Sequence, residues 1–217
     1  GQTTTYEASI HARGANRARI NSGSSLYLRD IIGKIPSVSF TPEDQRLVSG
    51  DPGARRTMMN QAAALLEPGY MQTLQQFTRI AKQRATLLKQ LNANVNNGQP
   101  MDAVLSGLEI WTGQFIEAGV ALTRMRAHAI GLLAEPFAAI YADLAGAGEQ
   151  VTLTYAPSFD EVLMFDDPHP QISEHFQRIY PGEVARGVNL IGPQRDDMNL
   201  ELGGIPAREF ASNGEMW

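Results

Sequence analysis

The sequence contains no cysteine. That excludes disulfides, thiolate metal sites and cysteine nucleophiles, and it suits a reducing, cytoplasmic setting. Long apolar runs are missing too. Nothing approaches the roughly 20 residues that a membrane helix needs. Gly1 to Ser9 lacks the basic-then-apolar pattern of a signal peptide. We therefore expect a soluble, cytoplasmic chain with no membrane partner. A surplus of positive charge is also absent, since the net charge is −5. Proteins that hold nucleic acid by charge alone are usually basic, so any DNA contact here has to come from a local patch. The hydrolase patterns GxSxG and HExxH do not occur. Nor does the phosphate loop GxxxxGK[ST], because Gly33-Lys34 is followed by Ile35.

What is present is a chain able to fold. Apolar residues make up 43% of it, enough for a packed core. Three regions differ in pattern, and together they predict an α+β fold. Residues 1–50 read as strand-rich. Tyr6, Ala8 and Ile10 alternate with polar residues, Gly14-Ala15-Asn16 turns, and Arg17 to Asn21 returns as the second arm of a hairpin. Leu26 to Ile32 reads as a short helix and Val38 to Phe40 as a short strand. Thr41-Pro42-Glu43-Asp44 is a helix start, with a capping hydroxyl, a proline for the first turn and two acids for the positive end of the dipole.

Residues 51–146 read as helical. Asp51-Pro52 opens a helix that stops at Pro68-Gly69, and a second is expected from Tyr70 to Leu91. Asn92 to Pro100 reads as a polar loop. Leu105, Leu108, Trp111, Phe115, Ala118, Leu122, Met125, Ala129 and Leu132 then recur at three- and four-residue steps, one apolar stripe on a long helix. Pro136 should kink or break it, and Phe137, Ile140 and Leu144 continue the stripe. Residues 147–217 return to strands. Val151, Leu153 and Tyr155 alternate, Val188 to Ile191 is a short apolar run, and Met198 to Ala207 folds back at Gly203-Gly204 as a hairpin. Strands, then helices, then strands suggest an antiparallel helical lobe inserted into a strand-rich lobe, with a sheet completed from both sides.

The candidate DNA-contact residues are Arg55, Arg56, Arg79, Lys82, Arg84 and Lys89; Arg79, Lys82 and Lys89 fall on one helix face. Asp166-Asp167-Pro168-His169 has poor spacing for a preformed metal site, and we expect no metal there. Trp111, Met58, Met59 and Met125 fit a core better than a ligand site. A helical interaction module, working through the long apolar stripe without nucleotide chemistry, is the alternative that the pattern leaves open.

Five segments in order resemble the RecF family, which belongs with the ABC-type and SMC-like ATPases. In VSFTPEDQRLVSGDPGARR, the residues Phe40, Pro42, Glu43, Asp44, Gly50, Pro52, Arg55 and Arg56 match, with Gln45 where leucine is usual. Pro68 to Leu88 is similar to a Y-x-x-x-L-x-Q-R-N-x-L-L run, with Ala85 for asparagine. Trp111 sits in an L-x-x-W, GPQRDD (192–197) is close to GPHRDD, and FASNGEMW (210–217) is similar to the family's signature segment.

The resemblance implies a partial ABC-ATPase lobe carrying the inserted helical lobe. It also implies that the phosphate loop (Walker A) and the acidic Walker B strand lie outside these 217 residues, so this chain alone is expected to be inactive as an ATPase. For the parent it implies ATP and Mg2+ as cofactors and an ATP-dependent homodimer. It implies binding to duplex DNA and single-strand–double-strand junctions in replication, recombination, repair and the SOS response. RecR and RecO would be its partners, with RecA loaded indirectly. In that frame Ser212, Asn213 and Gly214 would meet ATP on the opposite subunit, and Glu43 or Asp44 would sit in a nucleotide-sensing loop.

Overall fold

The computed structural model describes residues 3–32, 34, 39, 41–98, 100–145, 150–212 and 214–215. The first hairpin forms as its alternation predicts. Strand β1 (Tyr6–Ser9) pairs antiparallel with β2 (Arg17–Ile20), in the register Tyr6 opposite Ile20 and Ala8 opposite Ala18. Leu26 to Ile32 is not the expected helix. Leu26–Tyr27 adds to β2 as β3, and a single 3-10 turn follows at Leu28–Ile31, where the Tyr27 amide donates to Asp30 Oδ2 at 2.9 Å. The strand expected at Val38 to Phe40 falls on positions 38 and 40, which lie outside the described residues. Beyond it, Pro42–Gln45 forms a 3-10 turn that runs into the short helix α1 (Arg46–Ser49).

Three helices build the centre. Helix α2 (Pro52–Leu66) begins with its proline at the first helical position, where the missing N–H costs nothing. Helix α3 (Tyr70–Asn97) runs past Leu91 through the asparagine-rich stretch expected to be a loop, and ends at Gly98, whose φ of 64° gives the left-handed cap. Helix α4 (Asp102–Ala145) is one helix of 44 residues that continues through Pro136. Its apolar stripe is used inside the chain from Leu108 to Ala129. Leu132, Phe137, Ile140 and Leu144 face outward.

After α4 come β4 (Val151–Ala156), the short α5 (Glu161–Met164) and α6 (His169–Arg186). Then follow β5 (Asp197–Leu202), β6 (Ile205–Pro206) and α7 (Ala207–Phe210). The hairpin turning at Gly203-Gly204 forms as expected. Val188 to Ile191 is not a strand; it leads instead into a 3-10 turn at Pro193–Arg195. Among the described residues the two sheets stay separate, β1-β2-β3 from before the helices and β4-β5-β6 from after them. The expected sheet shared by both sides of the helical block is not seen in those residues.

The core sits between α3, α4 and α6. Phe77, Phe115, Phe159 and Phe176 are buried together, with neighbouring ring centroids 5.0–6.1 Å apart and mostly edge-on contacts. Met59 and Ile130 join the helices to the second sheet through Leu153 and Met198. Leu88, Leu91 and Leu108 close the far end, with Tyr180 and Val184 of α6 packed against them. No described helix is long and apolar enough to cross a membrane.

Candidate functional site

Helix α3 has two chemical faces. Its buried stripe runs Phe77, Ile80, Arg84, Leu88, Leu91 at steps of three and four. Arg79, Lys82 and Lys89 lie off that stripe and are exposed. None of the helix's 28 residues is Asp or Glu. The three cations therefore have no acid on their own helix to neutralise them, in a chain that is acidic overall. Packing of α6 brings the backbone of Gly187, next to the exposed Arg186, against Lys89.

Arg84 does not belong to that outward set. Its side chain is buried, with the residue 1% exposed. It makes a two-point pair with the fully buried Glu183 (Nη1–Oε1 2.9 Å, Nη2–Oε2 2.6 Å) and also donates to Asn189 Oδ1 and Thr112 Oγ1. The cation lies 4.6 Å from the centre of the Phe176 ring. A carboxylate holds this arginine, so the expectation that it contacts DNA is corrected.

Arg55 is corrected in the same way. It is 4% exposed and pairs with Asp197 (Nε–Oδ1 2.6 Å, Nη2–Oδ2 2.9 Å). Its Nη1 donates to the Gly50 carbonyl at 2.8 Å, at the end of α1. One arginine thus fastens α1, α2 and β5 together. Burial alone would raise the Asp197 pKa, but the Arg55 hydrogen bond and charge outweigh it and hold the carboxyl below the ordinary range. Arg56 is half-buried, and its Nη1 donates to the Asp196 carbonyl at 2.9 Å.

These contacts show what the GPQRDD run does in this chain. Gly192 takes φ 120°, and a Cβ there would come within 2.6 Å of the Phe115 ring, so only glycine fits. Asp196 is fully buried. Its Oδ2 accepts from Arg126 Nη1 at 2.7 Å and from the Tyr155 hydroxyl, and its Oδ1 accepts from the Ser158 amide at 2.8 Å. Arg126 of α4 commits four of its five N–H groups to this hub. It also donates to the Pro193 carbonyl, to Asn60 Oδ1 and to the Tyr70 hydroxyl. Burial, then the Asp196 charge, pushes the Tyr155 hydroxyl pKa well up. Arg195 bonds the Asn189 carbonyl rather than either aspartate.

The hub leads straight into β5, the β5–β6 hairpin and the signature segment. There the Ser212 amide donates to Glu215 Oε2 at 2.5 Å and the Glu215 amide donates to Ser212 Oγ at 3.3 Å. This reciprocal pair is the capping box that starts a helix. Ser212 and Gly214 are exposed; Asn213 lies outside the described residues. Helix α1 packs against α7, which immediately precedes Ser212. Upstream of α1, the Thr41 amide donates to Asp44 Oδ2 at 2.6 Å, while Glu43 is exposed. The Glu43–Asp44 turn and the signature segment therefore flank one packed junction.

Asp167 and Glu117 both lie against His169, at 2.8 Å each. Among the described residues no group of three or more His, Cys, Asp or Glu side chains is placed to hold a metal.

Sequence reading missed the buried role of Arg84 and Arg126. Their signal was position: Arg84 lies four residues from both Ile80 and Leu88, and Arg126 four from Leu122 and three from Ala129, inside the apolar stripes.

No family model matches the chain. Curated relatives do. The chain is 97% identical over its whole length to a protein of Bifidobacterium longum subsp. infantis named "DNA replication and repair protein RecF", covering 53% of that protein. It is 67% identical to the Bifidobacterium adolescentis protein of that name, covering 54% of it, and 37% identical over 97% of the chain to the Streptomyces avermitilis one, covering 57% of it. A solved structure described as the recombination mediator protein RecF-ATPrS in RecFOR pathway superposes with a TM-score of 0.83 at 20% identity, over 98% of this chain and 56% of that one. A second, described as RecF-ATP, gives the same TM-score over 55% of its length. The chain spans about half the length of the curated relatives it matches, and over that half it matches RecF in sequence and in fold, as a fragment of a RecF protein does.

Proposed function

We propose that this chain supplies the DNA-facing helices and the signature segment of a RecF-type ATPase that acts on gapped DNA. One observation carries the DNA part: α3 turns Arg79, Lys82 and Lys89 outward and holds no acidic residue in its 28. Such a row offers phosphates an electrostatic track whose affinity falls steeply with salt. Arg56, half-buried at the edge of the same block, is a lesser member of the set. Duplex DNA and single-strand–double-strand junctions are the proposed ligands.

The nucleotide part rests on the Ser212–Glu215 capping box. A helix start of this kind presents backbone amides and a positive dipole end to an anion. In our reading Ser212, Asn213 and Gly214 meet the ATP and Mg2+ held by an opposite subunit, which makes dimerisation depend on ATP. Glu43 and Asp44 report on nucleotide through the α1–α7 junction. RecR and RecO are the proposed partners, RecA the protein loaded as a result, and the cytoplasm the setting.

The test is fluorescence anisotropy with a labelled duplex and a gapped duplex across a salt series. Replacing Arg79, Lys82 and Lys89 by alanine together should weaken binding and flatten the salt dependence, by about one unit of slope for each phosphate left unneutralised. An unchanged slope would remove α3 from the DNA surface.

A further inference from the structure

A cleft of about 280 Å³ opens between α2, α3, α4 and the 193–195 turn. Its polar lining includes Arg56, Asn60 and Arg126, and no carboxylate lines it. The donors facing it can be counted. The Asn60 amide oxygen already accepts from the Tyr70 hydroxyl at 2.6 Å and from Arg126 Nη2 at 2.9 Å. That fixes which way the amide lies and leaves its NH2 without a partner among the described residues. Arg126 has five N–H groups. Four are engaged, by Tyr70, Pro193, Asp196 and Asn60, leaving one on Nη2. Arg56 gives one N–H to the Asp196 carbonyl, and among the described residues its other N–H groups have no hydrogen-bond acceptor.

The charges do not cancel. Asp196 neutralises Arg126 through its carboxylate, whereas Arg56 bonds the Asp196 carbonyl, and the nearby Asp197 carboxylate whose charge it feels is already paired with Arg55. The cleft therefore has more positive than negative charge around it, three side chains with spare donors on two helices, and no carboxylate in its lining, with Gln194 Oε1, unpartnered among the described residues, beside them. A tetrahedral oxyanion matches such a donor set, since an arginine fork and an amide can take separate oxygens.

We propose that this cleft binds a phosphate group, held by Arg56, Asn60 and Arg126. Bound there, the phosphate ties α2 to α4 beside the hub that leads to the signature segment. Arg79, Lys82 and Lys89 do not line the cleft, so the inference stands apart from the α3 surface and shares with the DNA reading only Arg56.

The experiment follows the Asn60 side-chain amide resonance of the 217-residue chain by NMR while inorganic phosphate is added at constant ionic strength. A saturable shift is expected. Arg56→Gln should weaken it about tenfold or more, the loss expected for a charge-assisted contact. Gly53→Glu is the second variant. Gly53 lines the cleft in the first turn of α2, a Cβ there meets nothing within 4 Å, and an acid suits that helix end. It should fold normally and abolish the shift by repulsion. A short duplex that produces the same saturable Asn60 shift would assign the phosphate to a nucleic-acid backbone. Response to inorganic phosphate alone would assign it to the free ion. A non-saturating drift, or equal shifts in the parent chain, Arg56→Gln and Gly53→Glu, overturns the proposal.

Discussion

The inner and outer faces of the helical block use the same residue types for opposite ends. Inside, Arg84, Arg126 and Arg55 are each matched to one carboxylate, Glu183, Asp196 and Asp197, and sealed from water. Outside, Arg79, Lys82 and Lys89 have none on their helix. A buried cation must be paired because leaving water is costly, and removing its partner exposes that cost in full. An exposed cation stays solvated whether or not it is paired, so it remains available to a ligand. Arg79, Lys82 and Arg84 lie within two turns of one helix, yet helix phase alone assigns them to different roles.

The largest effect should come from breaking an inner pair. Glu183→Ala leaves the Arg84 charge buried and alone, and should cost about 3–5 kcal/mol in a urea melt. A loss under 1 kcal/mol would mean that water reaches Arg84. The double replacement Arg84→Met with Glu183→Leu should recover most of that loss, because it removes both charges and keeps the volume. Crowding the packing beside the pair comes next. Gly119 lies so close to Phe159 that an added Cβ would sit 2.5 Å from its ring, so Gly119→Ala should cost about 1–3 kcal/mol. On the outer face, alanine at Arg79, Lys82 and Lys89 should shift stability by no more than about 0.5 kcal/mol each. A larger loss would show that these residues also hold the fold.

The inner face also responds to pH, at both ends of the range. Tyr70 and Tyr155 have raised pKa values, chiefly through burial. A raised folded-state pKa adds stability that is complete below the ordinary tyrosine value of about 10 and is lost as the pH climbs above it. Asp197 has the opposite sign. Its lowered pKa adds stability above the ordinary carboxylate value of about 4, lost as the pH falls below it. Denaturation midpoints should therefore drop at both extremes. Tyr155→Phe should blunt only the alkaline limb.

Much of this was legible in the chain. Pro52 and the stop at Pro68-Gly69 fixed α2 to within a residue, and the Leu108-to-Ala129 spacing gave the buried face of α4. Five motifs in order identified the family. What escaped was set by tertiary contact. Asn92 to Asn97 is polar enough for a loop, but α6 packs beside it and the Asn92 amide donates to the Ala185 carbonyl at 3.0 Å, so the helix continues to Gly98. Pro136 lies where the helix is exposed, and it does not interrupt α4. The inner arginines escaped because their acids are distant in sequence: Glu183 lies 99 residues from Arg84 and Asp197 lies 142 from Arg55. Charge counting along a helix cannot see such partners, although the phase of the apolar stripe marks the arginines themselves.

The 44 residues of α4 span about 66 Å at 1.5 Å per residue. Leu108 is anchored among α3 and α6, beside the proposed DNA face, and Ile130 is anchored on β4 and β5, upstream of Ser212. The two anchor points are about 33 Å apart along one unbroken rod. Such a rod is a lever arm. A tilt of about 5° about one anchor carries the other roughly 3 Å, the breadth of one hydrogen bond, so mechanical work done at one end arrives at the other as a making or breaking of contacts.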